Sequence, residues 1–216
     1  MPAPGTPPSP EPAAKPDLVD LARLDARLML DIRYAGANNF TGRPVYPEAA
    51  AWLQREAATA LVRAHDRIRS LGCTLLVLDA YRPWHVTRDF WQAYPEYRDF
   101  IADPAAGSVH NRGCAVDVSL VDDLGRELPM PSGYDEFSER AYPDYAGGNV
   151  DARANREKLR AAMEAEGFAV HPREWWHFDH ESWRQHPVLD IAFADLGHDA
   201  GPAFTAGGGD GSHGCS

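Results

Sequence analysis

Two short stretches constrain this chain more than any other feature: Ser108-Val-His-Asn-Arg-Gly-Cys-Ala-Val-Asp117 and, far downstream, Glu174-Trp-Trp-His177. His110 offers a nitrogen ligand, Asp117 an oxygen and His177 a second nitrogen. Three protein ligands with one open position hold catalytic zinc, whereas structural zinc is closed by four. The expectation is one Zn²⁺ per chain, with Glu174, close to the third ligand, as general base for an activated water. Cys114 sits inside the first stretch, but alternation on a strand turns it away from Asp117, and a fourth ligand would close the site. Taken singly, Asp117 reads equally well as a solvated strand acid and Glu174 as a surface acid; only their combination points to chemistry.

The surroundings of the ligands are patterned. Gly113 permits a tight backbone between the loop carrying His110 and the next strand. Along Ala115 to Val121, Val116, Val118 and Leu120 share one face and Asp117 and Ser119 the other, which predicts a strand with a core side and a site side. Glu174 and His177 would face opposite ways on an ideal strand, so both serve one site only if a bulge re-aims Glu174.

Composition narrows the class. The 216 residues suit one domain with a sizeable core, and a formal net charge of −11 argues against a nucleic-acid partner. No run of about 18 apolar residues predicts a membrane span. The opening Met1-Pro-Ala-Pro-Gly-Thr-Pro-Pro has neither a basic nor an apolar signal segment, and the expected location is the cytoplasm. Three widely spaced cysteines, Cys73, Cys114 and Cys215, are not a disulfide framework, and Cys73 reads as a small buried side chain. Residues 1–16, with seven prolines, predict a disordered lead, and 197–216, with seven glycines, a flexible tail in which His213 and Cys215 carry no site. The folded domain is expected over 17–196.

Within it, 17–21 and 28–34 read as short strands, and 35–42 as a loop. Residues 47–70 predict a long helix with Pro47 in its first turn, Leu53, Ala57, Leu61, Ala64 and Ile68 on one stripe, and Gly72 as the stop. Thr74–Leu78 predicts an internal buried strand, 84–94 a second helix, and 149–166 a third with Met163 in the core and Gly167 as its stop. Residues 124–145 read as a long loop, of the kind that is often functional. Phe168–Val170, a turn at His171-Pro-Arg173, and Glu174–His180 predict a hairpin.

With both motifs in view the chain resembles the zinc D-alanyl-D-alanine dipeptidases of the VanX type. They form a wider group with D-alanyl-D-alanine carboxypeptidases and the amino-terminal domain of hedgehog signalling proteins. The carriers are Tyr34 with Asn39-Phe-Thr-Gly42, Asp79-Ala-Tyr-Arg-Pro83, Ser108-x-His-x-x-Gly-x-Ala-x-Asp117 and Glu174-Trp-Trp-His-Phe178, spanning about Leu30 to Phe193. The resemblance implies a single small α+β domain with a central mixed or antiparallel sheet, zinc on one face and helices packed on the sheet. It implies His110, Asp117 and His177 as zinc ligands, Glu174 as catalytic base and Arg82 beside the reacting carbonyl. It further implies that Ser108 meets the substrate carboxylate and Asp135 its ammonium, with Tyr34 on the same wall. The implied reaction is hydrolysis of D-Ala-D-Ala to two D-alanines, in wall metabolism or glycopeptide resistance.

Two alternatives stay open: a D,D- or L,D-carboxypeptidase on longer wall peptides, and a non-enzymatic zinc-bearing binding module like the hedgehog domain. Trp175 and Trp176 read as wall and core. His65, His85, His186 and His198 read as surface or satisfied core residues, and His171 and His180 as possible partners of the ligating imidazoles. Oligomeric state has no signature in the chain.

Overall fold

The computed structural model describes residues 16–196, together with Pro8. The expected lead (Pro8 and Pro16 apart) and the expected tail, with His198, His213 and Cys215, lie outside the described residues.

The domain is built on a five-stranded mixed sheet. Its strands are β2 (Met29–Leu30), β4 (Thr74–Asp79), β5 (Ala115–Val121), β6 (Phe168–His171) and β7 (Glu174–His180), in the order β2-β4-β5-β7-β6. Only the β2–β4 pair is parallel. A separate two-stranded ladder joins β1 (Leu18–Asp20) to β3 (Trp52–Gln54). The helices are α1 (Leu21–Leu24), α2 (Arg55–Ser70), α3 (Trp84–Ala93), α4 (Val150–Glu164) and α5 (Phe193–Leu196). This is the small α+β domain with a mixed sheet that the resemblance implied. No helix among the described residues is long and apolar enough to cross a membrane.

The long helices α2 and α4 pack against each other and against the sheet. Leu61, Ala64 and Ile68 of α2 and Leu159 and Met163 of α4 join Val116, Val118, Leu120 and Phe178 of the sheet in one core cluster. Asn149 starts α4 by accepting hydrogen bonds from the Asp151 and Ala152 amides at 2.7 and 3.1 Å, which satisfies two of the orphan donors of a first turn. Gly72, at φ +75°, carries the chain out of α2 and into β4.

The predicted helix over 47–70 is corrected at its start, which lies at Arg55. The preceding segment spends its backbone groups on other parts of the chain. Leu21 N–H donates to Ala51 O at 2.9 Å, Tyr81 N–H to Trp52 O at 2.8 Å and Gln54 N–H to Gly113 O at 2.7 Å. The stripe running back through Leu53 is burial on a strand that mimics helical spacing. The expected strand at 28–34 is also shorter: β2 covers two residues, and a 3-10 turn, Arg33–Ala35, follows. The hairpin turn is Pro172-Arg173 alone, since His171 still pairs in β6. Cys73 is half-buried, not fully buried.

Candidate active site

The sheet register builds the site. Asp117 of β5 lies opposite Asp79 of β4 on one side and His177 of β7 on the other. Directly opposed residues project to the same face, so a carboxylate and an imidazole meet there. His110 arrives from a 3-10 turn, His110–Arg112, immediately before β5. That turn ends at Gly113, whose φ of +69° suits glycine and whose Cβ, if present, would collide with the Leu18 side chain.

Three atoms converge. His110 Nε2 and His177 Nδ1 are 3.0 Å apart, and Asp117 Oδ1 lies 3.2 and 3.1 Å from them. The opposite edge of each group is already engaged. His110 Nδ1 is 2.6 Å from the Ala80 carbonyl, His177 Nε2 is 2.8 Å from Asp179 Oδ1, and Tyr134 donates its hydroxyl to Asp117 Oδ2 at 2.8 Å. A carbonyl and a carboxylate only accept, so the imidazole protons sit on those outer nitrogens and the inner nitrogens present lone pairs. Asp117 Oδ1 is buried and has no hydrogen-bond donor. Three lone pairs facing one another in a buried spot repel unless a cation joins them. A tetrahedral zinc with bonds of about 2.0–2.1 Å spaces its ligands about 3.3–3.4 Å apart, close to the triangle seen. The donor set therefore fits the metal, and it is the one such group among the described residues.

Glu174 reaches this centre because β7 bulges. Val170 pairs with Phe178, but the next residue of β6, His171, pairs with Glu174, leaving Trp175 to His177 against a single step. The bulge brings Glu174 Oε2 to 3.8 Å from both His177 Nδ1 and His171 Nδ1. Burial pushes the Glu174 carboxyl up to about 8, a direction that a nearby cation opposes.

The rest of the pocket is built by contacts between segments far apart in sequence. Asp79 Oδ2 accepts from Arg82 Nε at 3.1 Å and Nη2 at 2.7 Å, while its Oδ1 accepts from the Tyr46 hydroxyl and the Ala80 amide, each at 2.9 Å. The Arg82 guanidinium lies over the Tyr34 ring, 5.0 Å from its centroid. Tyr34 in turn donates its hydroxyl to Asp135 at 3.2 Å, and Phe40 N–H donates to the same carboxylate at 3.1 Å. Burial pushes Asp135 up to about 7 against the pull of those hydrogen bonds. Ser108 is buried, and its Oγ accepts from the His110 amide at 3.2 Å. All eight expected site residues line or adjoin one cavity of about 290 Å³, small for a ligand site.

Trp176 lines that cavity, while Trp175 is core and donates to Ser132 Oγ at 2.9 Å. Cys114 stays outside the triangle, its thiol pushed up to about 12 by burial and within 3.9 Å of Ser182 Oγ. Of the two flanking histidines, His171 lies in the cavity, its ring 5.2 Å from that of His177. His180 points to the other side of the sheet and bonds Ser182 at 2.8 Å. His65 is a core residue bonded to Asp25 at 3.0 Å, and His85 bonds Asp190 at 2.6 Å near the surface.

Sequence reasoning missed three partners: Asp79, Asp179 and Tyr134. Asp179 was findable, since a residue two places from His177 on a strand shares its face. Asp79 was quoted only as part of a motif, and Tyr134 lies in an irregular loop whose path no local pattern specifies.

Comparison with known proteins gives the family of the chain. The Peptidase M15 family model, described as D-ala-D-ala dipeptidase, matches residues 14–191. A D-alanyl-D-alanine dipeptidase of Escherichia coli (strain K12) is 36% identical over 178 residues, covering 82% of this chain and 92% of that protein. One from Streptomyces coelicolor is 32% identical over 200 residues, covering 82% of this chain and 96% of that protein. One from Enterococcus faecium is 33% identical over 168 residues, covering 68% of this chain and 83% of that protein.

Proposed function

Because the chain belongs to the Peptidase M15, D-ala-D-ala dipeptidase family, we propose that it is a zinc-dependent dipeptidase that hydrolyses D-Ala-D-Ala to two D-alanines. One observation carries the reading: His110 Nε2, His177 Nδ1 and Asp117 Oδ1 turn three lone pairs toward one point, with Glu174 at its edge. Bound by those atoms, zinc supplies Lewis acidity and an acidified water.

The chain's own residues do the rest. Glu174 Oε2 takes the proton of the attacking water and returns it to the leaving amine. Arg82, held by Asp79, directs its guanidinium at the carbonyl oxygen as negative charge develops there. Asp135 pairs with the substrate ammonium, helped by Tyr34, which fixes the carboxylate by a hydrogen bond. Ser108 meets the substrate carboxylate with its hydroxyl. Recognition of both charged ends of the substrate, by Asp135 and by the Ser108 hydroxyl, in a cavity of about 290 Å³ favours a dipeptide over longer wall peptides. The catalytic domain of this proposal spans 17–196. A cytoplasmic setting, and a role in glycopeptide resistance or wall-peptide recycling, belong to the same reading; fractionation and induction by the antibiotic test them.

The deciding experiment measures free D-alanine released from D-Ala-D-Ala by zinc-loaded protein, beside Glu174→Ala and beside protein stripped with a chelator. Release by the wild type, a loss of about 100- to 10,000-fold in the variant, and recovery of the stripped protein on adding zinc are the expected results. An amino-blocked dipeptide should resist cleavage. Its efficient hydrolysis, or rapid trimming of a wall pentapeptide, would assign the chain to the carboxypeptidases instead.

A further inference from the structure

Tyr134 is not one of the residues the functional reading required, yet it makes the single contact that decides how Asp117 presents itself. A carboxylate can offer a metal one oxygen or both, and both would occupy the place that catalytic zinc keeps open. Here the two oxygens are unequally treated. Oδ1 faces the imidazole nitrogens and has no donor, whereas Oδ2 accepts the Tyr134 hydroxyl at 2.8 Å. Swinging Oδ2 toward the centre would break that bond.

The backbone beside Tyr134 is shaped to allow this. Asp135 has φ +57°, the one non-glycine residue with positive φ among the described residues. In an extended segment, side chains 134 and 135 would point to opposite sides. The left-handed turn instead sends both inward, Tyr134 to the metal ligand and Asp135 to Tyr34 and Phe40. Such backbone geometry is costly for a residue with a side chain, so the surrounding structure must hold it in place. The Tyr134 ring packs edge-on to Trp176 at 5.4 Å, a contact that phenylalanine would keep.

We propose that Tyr134 is a positioning residue, whose hydroxyl holds Asp117 Oδ2 back so that the carboxylate acts as a one-oxygen ligand and a place remains open for water. The inference rests on the metallopeptidase reading and deepens it. Tyr134 is not among the residues lining the cavity, and its hydroxyl reaches the centre through Asp117.

Full-length wild type, Tyr134→Phe and Tyr134→Leu are loaded with Co²⁺ in place of zinc, and their visible absorption, melting temperature and D-Ala-D-Ala kinetics are recorded. The hydroxyl-only change, Tyr134→Phe, should leave the melting temperature unaltered. It should weaken the visible Co²⁺ bands, as a fifth ligand atom does, and lower kcat about 10- to 100-fold, the usual cost of losing a ligand's partner, with little change in KM. Tyr134→Leu should show the same spectral change and also melt lower. If Tyr134→Phe keeps the wild-type spectrum and kcat while only Tyr134→Leu suffers, the ring is packing and the proposal is overturned. The spectral comparison separates this inference from the reading beneath it. Wild type that binds Co²⁺ without cleaving the dipeptide sinks the substrate assignment, while the Tyr134→Phe spectrum still decides the role of the hydroxyl.

Discussion

Val116, Val118 and Leu120 point from β5 toward α2 and α4, while Asp117 and Ser119, interleaved with them, point the other way; all five are at most 2% exposed. Equal burial hides opposite physics. On the helix side, apolar atoms leave water for close-packed neighbours, a gain that needs no directional partner. On the other side each polar group must find its own partner or remain costly, and Asp117 Oδ1 and Ser119 Oγ have none. One strand thus carries a face that stabilises the domain and a face that spends stability on chemistry. Changes on the two faces should affect different measurements.

With Glu174 and the three proposed ligands left in place, Arg82→Ala should show the largest effect, about 100- to 1000-fold in kcat/KM, because on the proposed reading a preorganised donor to the developing charge is lost. The Asp79 carboxylate, 0% exposed, would then be left with a buried charge, so the melting temperature should fall as well. A partner Asp79→Asn variant should recover part of the melting temperature but none of the rate; recovery of rate would break the division between the faces.

Leu120→Ala, on the helix side, should cost about 2–5 kcal/mol of stability in denaturant unfolding, through lost burial and a cavity. Activity per folded molecule should stay within about twofold of wild type. A large fall in kcat without loss of stability would show that the two faces are mechanically coupled.

The Asp25–His65 pair sharpens the comparison, being a buried polar contact between two residues that do not line the cavity. Burial pushes the Asp25 carboxyl up, but hydrogen bonds from Arg27 and His65 outweigh it and hold it at about 2, below its usual 3.8. A depressed carboxylate stabilises the fold above its unfolded value and loses that contribution as pH falls from about 4 toward about 2. His65, held down chiefly by burial, adds a loss below its usual 6.5, because the unfolded chain takes up the proton first. Asp25→Asn should cost about 1–3 kcal/mol at neutral pH and flatten this acid limb of the unfolding profile, with kcat unchanged. An unchanged acid limb would remove the pair from the account.

Arg88→Ala, which breaks an exposed pair with Asp89 on α3, should change stability by less than about 0.5 kcal/mol and leave rate untouched. It marks the floor against which the other effects are read.

Much of the site was legible before the fold was known, for reasons specific to the residues. His110, Asp117 and His177 stood out because few side chains ligate metals, and Glu174 because its acid precedes two tryptophans and a ligand. The strand at Ala115–Val121 was readable from its period of two, and α4 from its stop at Gly167; its cap at Asn149 emerged only with the structure. The start of α2 was misread because Trp52 to Gln54 bond to β1, Gly113 and Tyr81, contacts that local spacing does not encode. The bulge at Trp175 to His177 was required by chemistry, yet nothing in Glu174-Trp-Trp-His states where the register slips.

The amino-acid sequence alone determined which atoms are available: two imidazoles, a carboxylate able to ligate a metal, a second acid, an arginine and the alternating apolar residues that place one face inward. Those are properties of side chains and of local periodicity, which a linear chain carries. Tertiary structure decided which atoms of those groups point at one another. It set the tautomers through Ala80 and Asp179, left Asp117 only one free oxygen through Tyr134, and aimed Arg82 through Asp79 and Tyr46. Each is a hydrogen bond between segments distant in sequence, and its existence depends on the packing of the whole domain.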